Sequence, residues 1–137
     1  MPRQSTARTG LRWLLALIYF AAGVIHIRSP GGFLAIMPDW VPFPDEVIFL
    51  TGVAEIAGAI GLMVPRLRYA AGIGLALYAL CVWPANINHA VNDIAVGGRT
   101  LPWAYHGPRL ILQPVIIWWA LWVGGVTDWP FRTRETP

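Results

Sequence analysis

The sequence predicts an all-α membrane protein: a transmembrane up-down-up-down four-helix bundle with both termini in the cytoplasm. Three observations carry that expectation. Hydrophobic residues make up 56% of the 137 and charged residues only 12%, against about 25% charged in an ordinary soluble domain. Four long apolar runs, near 10–28, 46–64, 69–91 and 107–126, each suit a bilayer core of ~30 Å at ~20 residues per crossing. All ten basic residues are arginine, and seven of them flank the side on which four crossings would leave both termini, with three on the other. By the positive-inside rule the richer side is cytoplasmic.

Taken in order, Met1–Gly10 reads as a short polar arm, and Leu11–Ile27 as the first crossing. The rival reading of that run is a signal peptide, with Arg3, Arg8 and Arg12 before an apolar core ending in Ala21-Ala22-Gly23. Ser29–Asp45 is too rich in Pro and Gly to cross, yet it holds Phe33, Ile36 and Trp40. It is expected to lie on the bilayer surface as a lid across the outer mouth of the bundle. The second crossing ends at the basic turn Pro65–Arg68, and the third carries Pro84, which should bend it and free the Leu80 carbonyl. Two small-xxx-small pairs, Ala54 with Gly58 and Gly72 with Ala76, would let these helices approach closely. Asn92–Gly107 is a second irregular segment. Pro108 is expected in the first turn of the last helix, where its missing N–H is not needed. The whole chain, 1–137, reads as one integral membrane domain.

The polar residues segregate. Tyr19, Gly23 and His26 share one helical face; Thr51 and Glu55 share another. Asn86, His89 and Asp93 fall at i, i+3, i+7, as do His106, Arg109 and Gln113. Each set lies toward the non-cytoplasmic half of its helix. Glu55 is the only charge between Val47 and Val64, roughly 13 Å below Glu46 at 1.5 Å per residue. A carboxylate at that depth costs several kcal/mol, about 2.5–3.5 on insertion scales. Turned inward, the stripes make an outward-opening polar pocket of Tyr19, His26, Glu55, Asn86, His89, Arg109 and Gln113. Glu55 is its candidate proton-exchanging group, with Arg109 as the expected ion partner. Each residue also has a plainer role: Asn86 satisfying backbone freed by Pro84, the histidines lying at the interface, Arg109 reaching headgroups.

No nucleic-acid surface, flavin motif or nicotinamide motif is present. His26, His89 and His106 have no recognised metal-ligand spacing. Cys81, the only cysteine, excludes an internal disulfide or redox pair and reads as a small buried hydrophobe.

The runs Pro-Asp-Trp-Val-Pro-x-Pro at 38–44, Gly-Val-Ala-Glu-Ile-Ala-Gly-Ala-Ile-Gly-Leu-Met-Val-Pro-Arg at 52–66, Trp-Pro-Ala-Asn-Ile at 83–87 and Arg-x-x-x-Gln at 109–113 resemble the DoxX-like membrane proteins. That resemblance spans about Leu11 to Trp122. It implies a four-helix protein of the bacterial inner membrane, linked to quinone chemistry, thiosulfate oxidation or oxidative-stress complexes. The function to expect is then redox- or stress-associated binding of a quinone or similar small amphiphile, with electrons drawn from a membrane or peripheral partner protein. Two alternatives stand beside it: a non-enzymatic scaffold or assembly subunit, and a small-solute transporter.

Overall fold

A computed structural model describes residues 5–131. It is helical throughout its regular structure: α1 (Thr6–Arg28), α2 (Gly31–Ile36), α3 (Pro44–Met63), α4 (Arg68–Val91) and α5 (Trp103–Gly124). Three of these, α1, α3 and α4, are long and apolar enough to cross a membrane, which marks the chain as a membrane protein. Helix α5 is comparably long, but Arg109, Gln113, two prolines and a run of tryptophans dilute its hydropathy. Large apolar side chains such as Leu17, Leu50, Leu77 and Ile111 point outward on all four long helices, the pattern of helices bathed in lipid rather than water.

Two helices begin earlier than the sequence suggested. Helix α1 starts at Thr6, not near residue 10, because the Ser5 hydroxyl caps it by accepting from the Arg8 amide at 3.2 Å. Helix α5 starts at Trp103 rather than near 107, with the Pro102 carbonyl accepting from Tyr105 and His106. Pro108 therefore lies inside the helix, a turn beyond the position expected for it. Met1–Gln4, part of the expected polar arm, and Arg132–Pro137 fall outside the described residues. Between α4 and α5, Gly97 and Gly98 both take positive φ, and Val96 pairs with Arg99 across them. That is the geometry of a type I′ turn, which glycine adopts without strain.

The long helices pack in ring order: α1 on α3, α3 on α4, α4 on α5, and α5 back on α1, with α2 seated on α3 and α4. Close approach depends on small residues. A Cβ on Gly72 would lie 2.9 Å from the Ala120 carbonyl oxygen and from the Gly124 Cα, so α4 and α5 meet backbone to backbone there. At that end, arginines cap the C-terminal carbonyls of neighbouring helices. Arg12 Nε donates to Val123 O at 2.9 Å, Arg68 Nε to Leu62 O at 3.0 Å and Arg8 Nε to Trp122 O at 2.7 Å. Trp119 Nε1 adds a bond to Leu11 O at 3.2 Å. Cations suit these helix ends because the macrodipole is negative there. Leu15, Leu62, Leu75 and Val123 are fully buried beside them and form the dry part of the core.

Candidate functional site

The site begins with a glycine contact. Helices α1 and α3 approach so closely that a Cβ on Gly23 would lie 2.7 Å from the Gly52 carbonyl oxygen, and one on Gly52 would lie 2.9 Å from the Gly23 oxygen. Three residues beyond each glycine stand His26 and Glu55, so the contact brings these two side chains together. His26 Nδ1 lies 2.8 Å from Glu55 Oε2, an ion pair whenever the imidazole carries its second proton. The same nitrogen hydrogen-bonds the Ala22 carbonyl one turn back at 2.9 Å. One N–H thus faces two acceptors, the Ala22 carbonyl and Glu55 Oε2. Glu55 is 3% exposed. The Phe33 ring of α2 stacks on His26, with centroids 3.6 Å apart and planes 19° from parallel. Tyr19 and Tyr78 meet edge to face at 6.0 Å, the Tyr78 hydroxyl turned toward Glu55 and Thr51.

Across the ring, α4 and α5 are joined by amides. Asn86 Nδ2 donates to Gln113 Oε1 at 3.4 Å, and Gln113 Nε2 donates to the Ala79 carbonyl at 2.6 Å. Pro84 lies inside α4 and removes the usual donor for the Leu80 carbonyl; the Gln113 amide enters the backbone one residue earlier. Arg109 Nη1 donates to His89 Nδ1 at 3.2 Å, and its guanidinium lies over the Tyr105 ring at 5.5 Å. An arginine can only donate, so His89 Nδ1 accepts. The His89 ring packs against His106 at 4.7 Å.

Between the two sides lies a cavity of about 800 Å³, walled by α1, α3, α4, α5 and the segment following α2. Of the residues expected in a pocket, Tyr19, His26, Glu55, Asn86, Arg109 and Gln113 all line it. His89 does not: it stands behind Arg109, held between that guanidinium and His106. The expected pairing of Glu55 with Arg109 is replaced by Glu55 with His26 and Arg109 with His89. Ring order is the reason: α3 packs on α1 and α4 but lies diagonally from α5. Phe33, Ile36, Met37 and Trp40 also line the cavity, and Asn88 Nδ2 fastens that segment by donating to Ile36 O at 2.9 Å. Cys81 also departs from expectation: it is exposed and lines the cavity. Tyr78 and Trp119 belong to the wall too, without polar spacing to announce them.

An apolar chamber inside a small all-α membrane protein, with one buried acid–base pair on its wall, defines the class of molecule. The chain belongs to a family described as a domain of unknown function (DUF8561), which matches residues 15–124. No curated protein and no solved structure matches it.

Proposed function

We propose that this protein binds a quinone or similar small amphiphile within the membrane, in a redox- or stress-associated setting. The observation that carries the reading is the cavity of about 800 Å³ with Glu55 and His26 on an otherwise largely apolar wall. Ligand sites of ~300–1,000 Å³ lined mainly by apolar groups, with few polar ones, are the usual form. The likeness to DoxX-like proteins supports the redox setting, and electrons for any reaction would come from a partner protein. In this reading α5 is a fourth crossing, the helices form an up-down-up-down bundle in the bacterial inner membrane, and both termini are cytoplasmic. Arg8 and Arg12 at the α1 start, which reach the end of α5, and Arg68 at the α3–α4 turn support that orientation.

Native mass spectrometry of protein extracted from its own membrane in mild detergent tests the function. A retained amphiphile of defined mass is expected; an empty monomer, or one holding only bulk phospholipid, would sink the proposal. A retained protein partner would instead favour the scaffold reading, which the cross-helix chain Asn86–Gln113–Ala79 supports as a purely structural tie. Orientation is tested separately by thiol labelling from outside, in a background with Cys81 replaced. Thr100→Cys is expected to react and Leu67→Cys to stay protected; the reverse pattern would invert the topology.

A further inference from the structure

Besides its tyrosines and Cys81, the cavity wall holds three ionisable side chains: His26, Glu55 and Arg109. The first two answer each other across 2.8 Å. Arg109 has no such answer, for it forms no ion pair among the described residues. Its Nη1 donates to His89 Nδ1 at 3.2 Å, and its guanidinium lies 5.5 Å over the Tyr105 ring. Neither contact brings a negative charge. A ring nitrogen that accepts from arginine carries no proton, so His89 is neutral, and a ring face offers only its quadrupole. Asp93, which acts on His89 from beyond the end of α4, is not paired with Arg109. Glu55 stands on α3, diagonally across the ring from α5.

Arginine keeps its charge at any working pH, and an uncompensated cation in apolar surroundings is costly. The guanidinium fork matches a carboxylate or phosphate. His89 takes one of its N–H groups, and the others have no protein acceptor among the described residues. Selection here is by charge, since hydrogen-bond donors and acceptors both stand on the wall. A second observation concerns the surface below. Leu112, Ile116 and Trp119 follow Arg109 at i+3, i+7 and i+10, and all line the cavity. They form an apolar track of roughly 15 Å, at 1.5 Å per residue, leading away from the cation.

We infer that the chamber takes a single-chain amphiphile whose head is an oxyanion, carboxylate or phosphate, seated on Arg109, with its apolar body along the α5 track. This rests on the binding function proposed above and narrows it: among small amphiphiles, acids are held more tightly than neutral molecules of the same shape, quinones included.

The test uses two probes differing in head charge, dodecanoate and its methyl ester, titrated into the full chain in an uncharged detergent at a pH where the acid is ionised. Affinities are expressed as mole fractions in the micelle, so that partitioning cancels. Trp40 and Trp119 on the wall report binding by fluorescence. The acid is expected to bind about tenfold or more tighter than the ester, as one hydrogen bond between charged groups implies. Arg109→Gln should close that gap and Arg109→Lys, which keeps the charge, should preserve part of it. If Arg109→Gln does not fold, the wild-type pair of probes still decides. Equal binding of acid and ester by the wild type overturns the charge inference while leaving the chamber as a binding site. A gap that survives in Arg109→Gln overturns Arg109 as the seat of the head. Displacement of dodecanoate by diacyl phosphatidylglycerol overturns the single-chain assignment and gives the oxyanion to a bilayer lipid. Binding of neither probe overturns both the inference and the binding function beneath it.

Discussion

Gly23→Val is expected to destabilise the protein by about 3 kcal/mol or more, the upper range for overpacking a close-fitted contact. The first atom added would lie 2.7 Å from a backbone oxygen, that of Gly52, and 2.7 Å from Ile56 Cγ1. A side-chain tip can rotate away, but a backbone carbonyl moves only with its helix. Helices α1 and α3 must therefore separate, and His26 leaves Glu55 as they do. Gly74→Val is the matched control, because a Cβ there meets nothing within 4 Å. It should cost no more than about 0.5 kcal/mol, the usual range for surface changes. Thermal unfolding of both variants in the same detergent, followed by circular dichroism, makes the comparison. Equal melting temperatures would show that the Gly23–Gly52 contact does not hold the two helices at their spacing.

His26→Leu is the second large effect. It removes the group 2.8 Å from Glu55 Oε2 and strands a carboxyl group that is almost fully buried. Breaking buried pairs from one side generally costs ~3–5 kcal/mol, because the remaining charge is uncompensated. Glu55→Gln should cost less, since an amide is neutral and still hydrogen-bonds. The double variant His26→Leu with Glu55→Gln should recover part of the loss, giving a coupling energy of about 1 kcal/mol or more. Arg109→Gln combined with Glu55→Gln should instead be additive within about 0.5 kcal/mol, as for residues without a shared partner. Coupling on the Arg109 cycle and none on the His26 cycle would return Glu55 to the partner the sequence first suggested.

Glu55 was legible because one acid in an apolar run stands out at once. Its partner was not, for a geometrical reason. Periodicity tells which residues share a face of one helix, but not which neighbour that face meets. Ring order placed α1, not α5, against it. A signal was nonetheless present: Gly23 precedes His26 by three residues, and Gly52 precedes Glu55 by three. Two glycines at one spacing from two polar groups mark a close crossing with those groups side by side. The start of α5 was obscured by two prolines that both suit a helix entry, Pro102 and Pro108. The turn between them, with Trp103, Tyr105 and His106, is not part of an apolar run. Arg12 looked like a charge flanking a crossing; it is 3% exposed and caps a neighbouring helix. Nothing in local sequence distinguishes a flanking arginine from a capping one, because the carbonyl it serves is more than a hundred residues away.

Among the described residues, the side-chain hydrogen bonds between α1 and α5 lie at one end of the contact. Arg8, Arg12 and Leu11 bond Trp122, Val123 and Trp119 within the first two turns of α1; farther along, the two helices face each other across the cavity. A joint of that form behaves like a clothes peg, with a pivot at the stitched end and jaws at the other. Spreading the jaws breaks few polar bonds, whereas sliding or unwinding at the pivot breaks several. Widening between Ile18 and Leu112, both half-exposed and both on the cavity wall, would make a sideways doorway into the cavity. A lipid-dissolved molecule using it would never need to pass through water.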